Sequence, residues 1–253
     1  MSDVSFGAVR IVAIGGGEMG RPGYPVETTE LDAEVVRLTG RRRPRVVFLP
    51  TASQDDSIYV ATVKEHYGRR LGCRVEPLML YDRSQSFRDI ERVIGTADIV
   101  YVGGGNTLRM MTLWRRRGLD VLLAQAAAAG TVMAGVSAGA ICWCAAGVSD
   151  SRSFTSSDDS WEYIAVRGLR LVDVLLCPHY DSASRRPEAM RRLARRTRLV
   201  GVGLDDCTAL EIVGDQWRIL SCRDGSSGHR VGRPGDEHNL PASDQFRRIT
   251  ELT

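Results

Sequence analysis

A three-layer α/β/α sandwich, with a mostly parallel central sheet and an antiparallel hairpin near the C-terminus, is the fold this sequence predicts. Three observations predict it. Short apolar runs alternate with longer amphipathic stretches through the first two thirds of the chain, which is how parallel strands covered by helices on both faces appear in a sequence. Several of those runs end in glycine-rich turns, where a strand can hand over to a helix. Beyond Thr208 the alternation gives way to two apolar segments around Gly214-Asp215, which read as a hairpin rather than a further crossover unit.

Taken in order, strands are expected at 9–14, 45–49, 74–80, 99–102, 131–136, 172–177 and 199–204. Helices are expected at roughly 27–41, 57–71, 86–95, 105–129, 138–147 and 186–197. With 253 residues and 43% hydrophobic content the chain can bury a substantial core, and 1–253 reads as a single domain. Residues 222–245, rich in Gly, Pro, Ser, Arg and Asp, read as an irregular surface segment.

The charge balance excludes little but favours less. Thirty-four basic side chains against 31 acidic ones leave a net charge of +3, which gives no reason to expect nucleic acid or a membrane surface as partner. Nearly all the positive charge is arginine, Lys64 being the one lysine. No apolar run approaches the roughly 18 residues of a membrane span. The start MSDVSFGAVR lacks the basic and apolar regions of a signal peptide, so a cytoplasmic location is expected. Six cysteines, at 73, 142, 144, 177, 207 and 222, form no CxxC ligand spacing. They read as reduced, buried thiols, and no metal is expected.

The chemistry concentrates at Thr131 to Ala145, TVMAGVSAGAICWCA. A buried strand there runs into Gly135-Val136-Ser137-Ala138-Gly139, the pattern of a nucleophile elbow. In such a turn the serine is strained, glycines two residues to either side let strand and helix approach, and the hydroxyl stands at the sheet edge. A serine needs a base, and there are four histidines. His66 falls in an expected helix, while His229 and His238 fall in the polar tail and read as surface residues. His179 is delivered by Leu175-Leu176-Cys177-Pro178 to the carboxyl end of a strand, the edge where sites of open α/β sheets collect. The turn Gly103-Gly104-Gly105-Asn106-Thr107 also follows a strand, so the amides of Gly105 and Ala138 are candidates for an oxyanion hole. Candidates for the third, carboxylate member are Asp150 and Asp205 or Asp206, with Asp181 read as a loop residue. Gly15-Gly16-Gly17-Glu18-Met19-Gly20 matches a dinucleotide fingerprint formally, but Pro22, Gly23 and Pro25 follow at once where the fingerprint needs a helix to begin. No cofactor is expected.

GGGNT at 103–107, GVSAGAICW at 135–143 and CPHYD at 177–181, in that order and spacing, resemble the peptidase E and cyanophycinase family of serine peptidases. The similarity runs from the first strand to about Gly214. It implies a fold related to class I glutamine amidotransferase domains, a nucleophile at Ser137, a base at His179, oxyanion donors near Gly105 and Ala138, and no metal or cofactor. It places the acid at Asp150, at a slightly shorter spacing from Ser137 than in peptidase E, and leaves Asp206 as the alternative. Members of the family differ in substrate, so the resemblance does not fix it; short peptides are expected, and if the substrate carries an N-terminal aspartyl carboxylate, Arg185 or Arg186 could hold it. The rival readings are an α/β-hydrolase-type esterase, which would place its histidine nearer the C-terminus, and a non-catalytic binding module of the same fold.

Overall fold

In the computed structural model, the described residues are 8–82, 84–156, 160–182, 185–232 and 236–253. Residues 1–7 of the N-terminal segment and 233–235 of the tail therefore lie outside them. The chain runs through β1 (Arg10–Ile14), α1 (Thr29–Arg37), β2 (Arg45–Leu49), α2 (Ser57–Val63), β3 (Arg74–Pro77), α3 (Phe87–Gly95) and β4 (Ile99–Val102). It continues through α4 (Thr107–Arg117), α5 (Leu119–Ala128), β5 (Val132–Val136), α6 (Ala138–Ile141), β6 (Cys144–Ser149), β7 (Ile164–Arg167) and β8 (Val172–Cys177). The last elements are α7 (Arg186–Thr197), β9 (Val200–Leu204), β10 (Thr208–Val213), β11 (Gln216–Ser221), β12 (Gly228–Val231), β13 (Glu237–Leu240) and β14 (Arg247–Arg248).

The strands form two sheets. The larger has the order β14-β11-β10-β1-β5-β4-β2-β3 and the smaller β13-β12-β9-β8-β6-β7. From β1 to β3 the larger sheet is parallel, and the hairpin β10–β11 extends it antiparallel from β1. The smaller sheet has a parallel centre of β6, β8 and β9. Both faces of the larger sheet are covered, as the near-continuous apolar strands require. Along β1, Ile11 and Ala13 join one core cluster with α3, α4 and α5 residues such as Ile90, Met110 and Leu123. Val12 and Ile14 join another with Leu31 of α1 and Val60 of α2.

Three expectations are corrected. The helix expected at 138–147 stops after one turn and becomes β6. This run is buried throughout, so it carries no periodicity that separates helix from strand. The helix expected at 105–129 breaks at Gly118, whose left-handed φ of 68° ends α4 and begins α5. The tail expected to be irregular contributes β12, which pairs antiparallel with β9 at the edge of the smaller sheet, and β13 beyond it.

Candidate functional site

Three consecutive carbonyls where β1 ends hold the site together. Ser137 donates its amide to Ile14 O at 3.0 Å, His179 to Gly15 O at 3.1 Å and Cys207 to Gly16 O at 3.0 Å. The loop dismissed as a false dinucleotide fingerprint thus binds the turns after β5, β8 and β9 side by side. The first belongs to the larger sheet and the other two to the smaller, so the site lies where the sheets meet. A Cβ on Gly16 would overlap Asp206 Oδ1 and the His179 ring, so glycine alone lets backbone approach them this closely.

The serine turn has the local geometry expected of an elbow. Ser137 has φ 56° and ψ −111°, a conformation that L-residues keep only when the surroundings enforce it. A Cβ on Gly135 or on Gly139 would strike the Val102 carbonyl, so these glycines let β5, α6 and β4 close on one another. Ser137, His179 and Cys207 are three of seven described non-glycine residues with positive φ. Their gathering at one place marks stored strain of about 1–3 kcal/mol each.

His179 Nδ1 lies 2.6 Å from Asp206 Oδ1. That hydrogen bond, with the imidazole's charge, holds the Asp206 carboxyl below its ordinary range. Asp206 is fixed in turn by its amide, which donates to Asp181 Oδ1 at 3.0 Å. The neighbouring Asp205 pairs with His229 at 2.9 Å and accepts the Ser227 amide. His229 stacks on Tyr180, centroids 4.5 Å apart, and so braces the residue next to His179 rather than standing free in solvent. His66 is fully buried against Asp32 at 2.9 Å, while His238 is exposed beside Asp236.

Asp150, the acid expected first, is engaged elsewhere. It accepts a hydrogen bond from Arg186 Nη2 at 3.1 Å, because β6 stands where a helix was expected and carries it toward the start of α7. Its neighbours latch the Gly103–Thr107 turn: Ser151 O accepts from Asn106 Nδ2 at 3.1 Å, and Ser149 Oγ donates to Thr107 Oγ1 at 3.2 Å. Arg186 is only 6% exposed and lies under the Tyr163 ring at 5.0 Å, so holding a substrate carboxylate would require breaking a buried pair. Arg185 is exposed, over the Trp161 ring at 4.7 Å.

Within the glycine turn, the Gly103 amide donates to Leu49 O and the Asn106 amide to Ala52 O. The Gly104 amide donates to Tyr59 Oη at 3.2 Å, a phenol that burial pushes up to about 12 and so keeps neutral. Gly104 brings the turn beside Ser137, since a Cβ on it would lie 3.5 Å from Ser137 Cβ. Ala138 opens α6, where first-turn amides lack partners within the helix. The six cysteines are free, and burial pushes Cys144 and Cys177 up to about 12, away from thiolate chemistry. Among the described residues no group of three or more metal-ligating side chains forms, and no helix is long and apolar enough to cross a membrane.

Residues 11–220 match the profile of Peptidase family S51. A Bacillus subtilis strain 168 protein described as uncharacterized peptidase YgaJ is 35% identical over 226 residues, 88% of this chain and 91% of that one. The uncharacterized peptidase Lmo0363 of Listeria monocytogenes is 31% identical over 139 residues, 54% of this chain and 66% of that one. The crystal structure of a peptidase from an acI-B1 Actinobacterium shares the fold, with a TM-score of 0.69 at 18% identity over 96% of this chain and 98% of that one.

Proposed function

The chain belongs to peptidase family S51, and on that premise we propose that it is a serine peptidase acting through Ser137, His179 and Asp206. The observation that carries this reading is the His179–Asp206 pair at 2.6 Å, bound through successive backbone carbonyls beside the strained Ser137. With Nδ1 committed to Asp206, Nε2 is the nitrogen that takes the Ser137 proton as Oγ attacks the substrate carbonyl. The oxyanion forms against the amides of Gly105 and Ala138. His179 then passes its proton to the leaving amine, and water releases the acyl group by the same steps. Ser137 and His179 are not hydrogen-bonded among the described residues. Catalytic contacts of this kind often tighten only once substrate is bound.

The mechanism fixes a pH dependence. Only a neutral imidazole accepts the proton, so kcat/KM is expected to rise with pH out of the acid range. Asp206, held low by the imidazole hydrogen bond, stays ionised throughout that rise. Its own contribution to stability is present above the unfolded carboxyl pKa and is lost as pH falls through the folded one. A kcat/KM profile flat from mildly acidic to neutral pH would remove His179 from the role of base.

The substrates proposed are short peptides with an acidic residue, aspartate first, on the acyl side of the cleaved bond. Arg185 is the side chain left to meet that carboxylate, since Arg186 is committed to Asp150. The guanidinium is exposed, so its preference for Asp-Leu over Asn-Leu is about two- to fivefold in kcat/KM. The test compares Asp-Leu, Asn-Leu, Ala-Leu and short acyl esters in wild type and Arg185→Ala. Cleavage of esters without peptides would replace the peptidase reading by an esterase. Equal rates on the three peptides would remove only the acidic preference. Six free thiols suit a reducing compartment, and on that ground the proposed location is the cytoplasm.

A further inference from the structure

Away from the proposed catalytic residues, a groove of about 1240 Å³ opens between α7, β6, β7 and the end of α4. Arginines from four parts of the chain converge on it. Arg115 comes from the last turn of α4, Arg152 from the turn after β6, Arg167 from the end of β7 and Arg170 from the link to β8, and Arg192 and Arg196 from α7. Among the described residues Glu162 is the one carboxylate in the lining, and it is already bonded by Arg192 at 2.8 Å. Arg170 pairs with Asp173 outside the lining. Most of these guanidiniums are exposed, in a chain whose net charge is only +3. Six of the chain's 34 basic side chains thus gather at this one groove.

We propose that this groove is a binding site for an acidic polypeptide segment, separate from the catalytic centre. The chemistry of the walls selects that ligand class. Arginine forks fit carboxylates two bonds at a time, and their spread over four elements suits several anions along an extended chain rather than one small ion. The floor contributes apolar side chains, Ala146, Ile164, Leu193 and Leu199, which suit a peptide carrying aliphatic residues between its acidic ones. A single-stranded nucleic acid would need aromatic faces for its bases. Among the described residues the one aromatic in the lining, Tyr163, is 7% exposed and has Arg186 over its ring. A simple edge-strand addition along β7 is less suited, because Arg115 already bonds the carbonyl of Arg167 at 2.8 Å and Arg192 that of Tyr163 at 3.1 Å. Recognition therefore runs through side chains.

The test uses the full-length Ser137→Ala protein, which keeps the peptide intact, and a dye-labelled short peptide alternating glutamate with leucine, read by fluorescence anisotropy. Saturable binding that weakens with salt, and that is lost when glutamine replaces glutamate, is the expected result. An exposed ion pair contributes up to about fivefold in affinity, so the double variant Arg167→Glu, Arg196→Glu should weaken binding by about tenfold or more. A matched reversal of the exposed Arg42 and Arg43 should leave it within about twofold. In the wild-type background the groove variant should hydrolyse dipeptides at the parent rate, so a failure of this proposal is distinct from a failure of the catalytic one. Absence of binding, equal loss in the control reversal, or tighter binding of tripolyphosphate or oligothymidylate than of the peptide would overturn it.

Discussion

Ser137→Ala is expected to fold as the parent does and to lose turnover by roughly four to six powers of ten, the range seen when a triad nucleophile is removed. Folding should survive because alanine keeps the same Cβ in the same positive-φ backbone, and the amide still donates to Ile14 O. Nothing that holds β5 to β1 is changed. The residual rate would come from binding and the oxyanion amides. Single-turnover kinetics beside a thermal melt read both quantities. A well-folded variant with more than about a tenth of parental activity would exclude Ser137 as nucleophile, given the size of the loss expected.

Asp206→Asn should lower kcat by about four powers of ten, because an amide at that position stabilises the wrong tautomer and cannot stabilise the imidazolium. Asp150→Asn should instead act on stability. It leaves Arg186, nearly buried, without its ionic partner, which costs about 1–3 kcal/mol for a charge-assisted hydrogen bond to a partly exposed carboxylate. The latch of Ser149 and Ser151 on the Gly103–Thr107 turn loosens with it, so kcat is expected to fall modestly. Measuring kcat and Tm for both variants separates the roles. A loss of turnover larger in Asp150→Asn, with Tm unchanged, would return the acid to Asp150.

What the sequence made legible was what local pattern controls. The elbow at Ser137 could be read because its glycines and its strand lie within a few residues of it, and the strand ending at Cys177 announced His179 in the same way. The acid was left open between Asp150 and Asp205 or Asp206, since the contact that favours Asp206, to His179 Nδ1 at 2.6 Å, joins turns far apart in the chain, and β6, which carries Asp150 away, was read as helix. That strand lies in an apolar run buried throughout, which has no period to betray it. The role of Gly16 was hidden for a different reason. Its need for a missing side chain arises from Asp206 and His179, far along the chain, and the local sequence offered only a motif belonging to another chemistry. His229 was misread through composition, because its polar segment gave no sign that β12 would carry it to Asp205 and Tyr180.

The three carbonyls of Ile14, Gly15 and Gly16 also bear on when the protein can act. Each accepts an amide from a residue far downstream, the last from Cys207, so every one of these bonds closes a long loop. Contacts of such high separation form late, after local elements have paid their ordering entropy. During synthesis from the N-terminus, Ser137 emerges well before Asp206, and the β1 end waits without its partners until β9 and the turn after it have been made. On the proposed mechanism, hydrolytic competence is thus tied to completion of both sheets. A chain that ends before Asp206 carries Ser137 without the His179–Asp206 pair, and on the proposed mechanism it would be inactive.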